Sequence, residues 1–281
     1  MARVNYFEHT IPAHDGLRLF ARRSEIENAR AEVILVHGFG EHSGRYTQLT
    51  DYLAREGFSV TAYDHRGHGL SDGLPGHVEE FSEYDKDLAA VIKSIRERSP
   101  GVKRTFLVGH SMGGLVVLRY VARDGLELSG AVVTSPLLGI AASVPAHKMM
   151  IARVGARMAP RLRVGNEIDP AALSRDPEVG RAYATDPLVT RQVSVRWYWE
   201  AKRAMEEARE SAAQIKLPIL ILHGTQDKIA SLDATREVFE RIGSKDKELG
   251  IYPDFYHELF NEPEKREVFE RVSVWLEKRI S

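Results

Sequence analysis

The sequence predicts an α/β protein: a mostly parallel sheet flanked by helices, with a helical cap inserted into it. Three observations predict this. Short apolar runs recur along the chain, segments of helical spacing alternate with them, and one long stretch interrupts the alternation.

The elements follow in order. Residues 4–12 and 17–21 read as two strands around the turn formers His14, Asp15 and Gly16, so the chain opens on a hairpin. Residues 32–37 are a short apolar run that stops at Gly38, the pattern of a strand buried on both faces. Residues 58–63, 105–108, 130–134, 219–222 and 248–252 are runs of the same kind. Between them, apolar spacing predicts helices over residues 46–56, 83–98, 112–123, 232–242 and 265–280. Units alternating at this length pack as parallel strands with helices on both faces.

Residues 137–213 break the pattern. They contain no run suited to a buried strand, but they carry helical patches at 145–158 and 195–213. A structureless loop of that length is uncommon. The stretch therefore reads as a cap inserted into a core formed by residues 1–136 and 214–281.

Composition narrows the function. The 281 residues hold 39 basic and 40 acidic side chains, for a net charge of −1, and leave no basic footprint for nucleic acid. The absence of cysteine excludes disulfides and thiolate metal sites. The first ten residues lack the apolar core of a signal peptide, and no run reaches transmembrane length, so a cytoplasmic location is expected. Few Asn and Gln beside many Arg fit either a heat-tolerant protein or an Arg-rich codon usage.

The chemistry is carried by Gly109-His110-Ser111-Met112-Gly113, a G-x-S-x-G pattern set between an apolar strand and a helix. A sharp strand-to-helix turn lifts the serine hydroxyl clear of the sheet edge and aims the helix N-terminus at the reacting centre. The flanking glycines relieve the crowding. The pattern resembles the nucleophile turn of the α/β-hydrolase fold.

A serine hydroxyl needs a base, and in this fold the acid and then the histidine follow the serine along the chain. His147, His223 and His257 are the histidines after Ser111. His147 falls in the cap, and His223 suits a buried strand end. His257 sits in the loop after the last apolar strand and is the candidate base. Asp227, the first carboxylate after the strand 219–222, is the candidate acid that fixes the imidazole tautomer. Asp254 is the alternative, and a loop aspartate that caps the next helix is the ordinary reading of Asp227. The backbone N–H groups of Met112 and of Phe39, in the loop His37-Gly38-Phe39-Gly40, are the expected oxyanion donors.

With these residues in place, the chain resembles the monoacylglycerol lipase and lysophospholipase branch of the α/β-hydrolases. The resemblance is carried by His37-Gly38-Phe39-Gly40-Glu41-His42-Ser43-Gly44-Arg45-Tyr46, by Asp64-His65-Arg66-Gly67-His68-Gly69-Leu70-Ser71 and by Gly109 to Gly114. Tyr183-Ala184-Thr185-Asp186-Pro187-Leu188-Val189 and His223-Gly224-Thr225-Gln226-Asp227-Lys228 continue it. It is loosest from residue 138 to 181. It implies Ser111, Asp227 and His257 as the triad and Phe39 and Met112 as the oxyanion hole. It also implies Glu41 and Arg45 at the polar, glycerol end of the pocket, with His110 and Tyr183 beside the substrate. A salt bridge holding the loop would equally explain Glu41 and Arg45. Phe39 departs from several relatives that carry a smaller residue there, and its ring bears on the shape of the pocket.

The resemblance implies hydrolysis of a monoacylglycerol through an acyl-enzyme, with lysophospholipase or general carboxylesterase as alternatives. A non-catalytic binding protein on the same fold is the reading from another class. Dehalogenases and epoxide hydrolases of this fold resemble it with Asp at the nucleophile, where Ser111 stands. His37, His42, His65, His68 and His77 form no H-E-x-x-H pattern, and no Gly-rich phosphate loop opens a β-α unit, so neither metal nor cofactor is expected. In the cap, Ile140, Val144, Met149, Met150, Ile151, Val154 and Met158 can share a helix face bordered by Lys148, Arg153 and Arg157. That face is expected either to pack on the core or to line an acyl tunnel and touch a lipid surface, with Trp197 and Trp199 adding to the wall.

Overall fold

The computed structural model describes residues 4–141 and 158–280. Ten strands lie among them: β1 (Val4–Pro12), β2 (Arg18–Ile26), β3 (Ala31–Val36), β4 (Phe58–Tyr63), β5 (Thr105–His110), β6 (Gly130–Thr134), β7 (Arg163–Gly165), β8 (Gln192–Ser194), β9 (Ile219–Gly224) and β10 (Lys247–Tyr252). The helices are α1 (Thr47–Arg55), α2 (Ser82–Arg98), α3 (Met112–Asp124), α4 (Pro177–Thr185), α5 (Val195–Ser211), α6 (Leu232–Arg241) and α7 (Lys265–Glu277).

Eight strands form one sheet in the order β1-β2-β4-β3-β5-β6-β9-β10. The β1–β2 and β2–β4 pairs are antiparallel and every other pair is parallel. The fold is that of the α/β-hydrolases. β2 pairs with β1 up to Ile26, beyond the predicted end at residue 21, since the polar run Arg22 to Glu25 carries no apolar signal. Arg23 there is buried and bonds Glu32 through two contacts of 2.8 Å.

Side chains alternate across the sheet and build a core on each face. Ile34 and Val36 join Leu88, Leu115 and Ala201 on the face covered by α2, α3 and α5. Val33 and Leu35 join Leu49, Val268 and Trp275 on the face covered by α1 and α7. Parallel strands end at the same edge, so the loops after β3, β5, β9 and β10 gather there. β4 pairs with one side of β3 and β5 with the other. The crevice beside β3 is thus a topological switch point, where ligands of open α/β sheets bind.

Between β6 and β9 the predicted patch at 195–213 is helix α5 followed by a 3-10 turn over Ala212–Gln214. The patch at 145–158 lies outside the described residues, apart from Met158. Two features were not expected from the sequence. Helix α4 starts on an Asp176 cap with Pro177 in its first turn, and β7 pairs antiparallel with β8.

Candidate active site

Ser111 stands between β5 and α3 at φ 51° and ψ −114°, a left-handed conformation that strains a residue with a Cβ. The turn is held on both sides. The Ser111 N–H donates to the Thr134 carbonyl at 3.0 Å, and the Ser111 carbonyl accepts from Leu115 and Leu137, each at 3.0 Å. A Cβ on Gly113 would stand 2.0 Å from the Val36 carbonyl oxygen. Only glycine lets the first turn of α3 lie this close to the end of β3. Met112 opens α3, and the first N–H groups of a helix have no partner within it.

The loop after β3 faces this turn. A Cβ on Gly38 would meet the Ser111 Cβ at 3.2 Å. Gly40 takes φ 79°, and its carbonyl accepts from the Thr190 N–H at 2.8 Å, so the stretch between β6 and β9 holds the loop from above. The Phe39 ring lies 4.1 Å from the Trp197 ring, centroid to centroid, and 5.2 Å from that of His68. It is drawn toward α5 and forms part of the wall.

His257 is buried in the loop after β10, and its Nδ1 lies 2.8 Å from Asp227 Oδ2. The other Asp227 oxygen accepts the N–H groups of Ile229 at 2.8 Å and Ala230 at 2.9 Å. Burial disfavours a charged His257, yet the Asp227 carboxylate outweighs it, and with Glu258 and Glu41 nearby the imidazole is held above its ordinary range. Burial likewise pushes Asp227 up, but His257 and His223 more than reverse that and keep it well below the usual carboxylate range. Asp254 instead occupies an exposed turn at φ 63°. The rival His147 lies outside the described residues.

A cavity of about 760 Å³ opens onto these groups. Ser111, His257, His110, Glu41, Glu258 and Tyr183 line its polar part, and Leu138, Leu173, Val193, Trp197 and Met205 much of the rest. His110 bonds the Thr134 hydroxyl at 3.0 Å, and its ring lies 4.7 Å from that of His257. Burial, then the neighbouring His257, push its pKa well down.

The Glu41 Oε1 accepts from the Gly38 N–H at 2.5 Å and the Tyr46 hydroxyl at 2.6 Å. Its Oε2 has no hydrogen-bond partner among the described residues. Burial and the adjacent Glu258 raise its pKa to about 7 against the pull of Arg45. Arg45 lies behind the cavity wall, with Nε 3.4 Å from Glu41 Oε2 and a terminal nitrogen bound to Glu258. Its guanidinium also sits 5.2 Å from the centre of the Tyr183 ring.

Sequence reasoning missed Glu258. The residue follows the candidate base directly, but its partner Arg45 is distant in the chain, so nothing local marked it. The other histidines prove to be hydrogen-bonding groups. His37 Nε2 accepts from the His65 N–H at 2.9 Å, and His42 Nε2 meets Asp186 at 2.9 Å. His68 Nδ1 meets the Arg66 carbonyl at 3.0 Å, and His77 Nδ1 meets the Ser194 hydroxyl at 2.8 Å.

Comparison with known proteins now decides the family. Residues 27–264 match the family described as Hydrolase_4, serine aminopeptidase, S33. The chain belongs to this hydrolase family. Its relatives include a monoacylglycerol lipase of Mycolicibacterium smegmatis, 34% identical over 271 residues that cover 96% of each chain. A phospholipase of Bacillus subtilis is 31% identical over 252 residues, 89% of this chain and 96% of that one. The crystal structure of Paleococcus ferrophilus monoacylglycerol lipase superposes with a TM-score of 0.82 at 35% identity, over 99% of both chains. As a member of this family, the protein is an ester hydrolase of the lipase and esterase type.

Proposed function

We propose that the chain cleaves monoacylglycerols to glycerol and fatty acid, with Ser111 as nucleophile, His257 as base and Asp227 as orienting acid. One observation carries the reading: Ser111 and His257, the latter backed by the buried Asp227, line one largely apolar cavity. A cavity of this kind suits an acyl chain, and the identity to two monoacylglycerol lipases supports the choice of substrate.

Ser111 Oγ attacks the ester carbonyl as His257 Nε2 takes its proton. The N–H groups of Phe39 and Met112 receive the developing oxyanion. His257 then protonates the departing glycerol oxygen, and a water activated by the same imidazole cleaves the acyl-enzyme. Glu41 Oε2, which has Arg45 Nε 3.4 Å away but no hydrogen bond among the described residues, accepts a glycerol hydroxyl, with Tyr183 and His110 beside it. Arg45 supports this polar end through Glu41 and Glu258. No metal or cofactor enters these steps.

In this reading residues 137–213 act as a cap whose outer surface touches lipid. Met158, Leu162 and Val164 are 81%, 56% and 49% exposed, with Arg161 and Arg163 between them. Among the described residues, no helix is long and apolar enough to cross a membrane.

A second substrate is favoured by the phospholipase relative and by Lys228 on the cavity wall, which suits a lysophospholipid phosphate. The deciding experiment compares monoacylglycerols with di- and triacylglycerols, lysophospholipids and aminoacyl anilides, using the wild-type chain and Ser111→Ala. Serine-dependent turnover highest on monoacylglycerols is expected. Preference for aminoacyl anilides, or turnover that survives Ser111→Ala, overturns the reading.

A further inference from the structure

His223 is the next-to-last residue of β9, and its side chain is fully enclosed. Its Nε2 lies 3.2 Å from Asp227 Oδ2 and 3.3 Å from the Ala230 carbonyl oxygen. Both neighbours are acceptors, so the ring hydrogen belongs on Nε2. Nδ1 is buried with no hydrogen-bond partner among the described residues, which favours a bare lone pair there over a stranded N–H. The tautomer of His223 is therefore fixed by its surroundings. Asp227 Oδ2, the oxygen that meets His257 Nδ1 at 2.8 Å, thus has a second imidazole nitrogen 3.2 Å away, that of His223.

We propose that His223 is a positioning residue for the Asp227–His257 pair, holding Oδ2 in line with His257 and taking a share of its negative charge. The inference rests on the triad reading above. Two backbone N–H groups fix the other oxygen and leave the carboxylate free to rock about them. The His223 contact stops that motion at the oxygen that matters. A donor on Oδ2 also weakens the hold of the carboxylate on the imidazolium, so His223 moderates the basicity of His257. The remaining charged or titratable groups facing His257 stay in place when His223 is changed. They are His110 from the end of β5, Glu258 from its own loop, and Glu41 and Arg45 from the segment after β3.

The test uses His223→Leu, which removes the donor, and His223→Gln, whose amide N–H reaches the same place. On a short, soluble ester, His223→Leu should lower kcat by roughly ten- to a hundredfold with little change in KM. It should also move the acidic limb of kcat/KM upward by roughly half to one pH unit, the scale of one hydrogen bond. His223→Gln should restore both. An unmoved limb in His223→Leu, or a glutamine variant that behaves like the leucine one, overturns the proposal and leaves His223 as packing. Should the leucine variant fail to melt cooperatively, His223→Met, also without a donor, carries the same measurement. Full activity of Asp227→Asn would instead mean that the triad reading had failed.

Discussion

Arg45 places one terminal nitrogen 2.8 Å from Oε1 and 2.6 Å from Oε2 of Glu258, the residue after His257. Asn261 adds a third bond to Glu258 at 2.7 Å. Arg45 also faces Glu41, which holds the Gly38 N–H. A buried ionic chain therefore runs from the loop that carries Phe39 to the loop that carries His257. Two carboxylates share one guanidinium in it, which leaves a surplus of negative charge beside the imidazole when both are ionised.

That surplus gives the first prediction its sign. Glu258 helps to hold His257 above its ordinary range. Glu258→Gln keeps the shape and an acceptor for Arg45 but removes the charge. The imidazolium then loses support, and the acidic limb of kcat/KM moves to lower pH, opposite to the shift from His223→Leu. Rate profiles of the variant and the wild type check this. A limb that stays in place or rises would show that Glu258 does not act on His257 electrostatically.

The wild-type profile follows from the same balance. Burial lowers the affinity of His257 for a proton, and Asp227 more than restores it. Only neutral imidazole accepts the serine proton, so activity should fall as pH drops through a value above the ordinary imidazole pKa. A limb below about 6.5 would contradict the pairing. Asp227→Asn should cost roughly ten-thousandfold in kcat through the wrong tautomer, while Asp254→Asn should leave kcat near wild type.

Backbone strain at Ser111 supplies a stability prediction. A non-glycine residue at this φ and ψ costs about 1–3 kcal/mol, against about 0.5–1 kcal/mol of chain entropy for a glycine. Ser111→Gly should therefore melt above Ser111→Ala by roughly a few degrees, with both inactive. Equal melting temperatures would mean that the turn stores no strain.

How much of this the sequence revealed follows from the range of each interaction. The strands β3 to β6 and β9 are buried on both faces, so their apolar runs were legible. Ser111, Asp227 and His257 stand out in the sequence as candidates because this fold fixes their order and each follows a strand, and the structure pairs Asp227 with His257 at 2.8 Å. The exposed three-residue strand β7 carried no apolar run to read. Helix α4 did carry a start signal, Asp176 before Pro177, whose carboxylate accepts the Glu178 N–H at 3.0 Å. The sequence marks His223 as a buried residue near a strand end, and it lies one residue from the end of β9, but burial alone does not reveal that its Nε2 faces Asp227. Glu258 was beyond reach, because its role depends on an arginine from the far side of the sheet edge.

The last prediction concerns the outer surface between β6 and β9. The helix face expected over residues 140–158, with Met150 and Ile151 at its centre, lies almost wholly outside the described residues. The adjoining segment carries the same character. Met158, Leu162 and Val164 are exposed, and Arg163 is exposed beside them, while Arg161 meets Glu79 at 2.9 Å. Scattered apolar residues on a surface are ordinary. Three within seven positions, interleaved with two arginines, suit contact with a lipid surface whose headgroups are anionic. Leu162→Glu combined with Val164→Glu should leave the melting temperature nearly unchanged, since exposed substitutions typically cost within about 0.5 kcal/mol. Hydrolysis of a short, soluble ester should also persist. Binding to anionic vesicles and turnover of long-chain monoacylglycerol presented in them should fall together, and added salt should weaken wild-type binding in the same direction. Equal loss on both substrates, or vesicle binding that survives the substitutions, would show that this surface is solvated and plays no part in reaching the lipid.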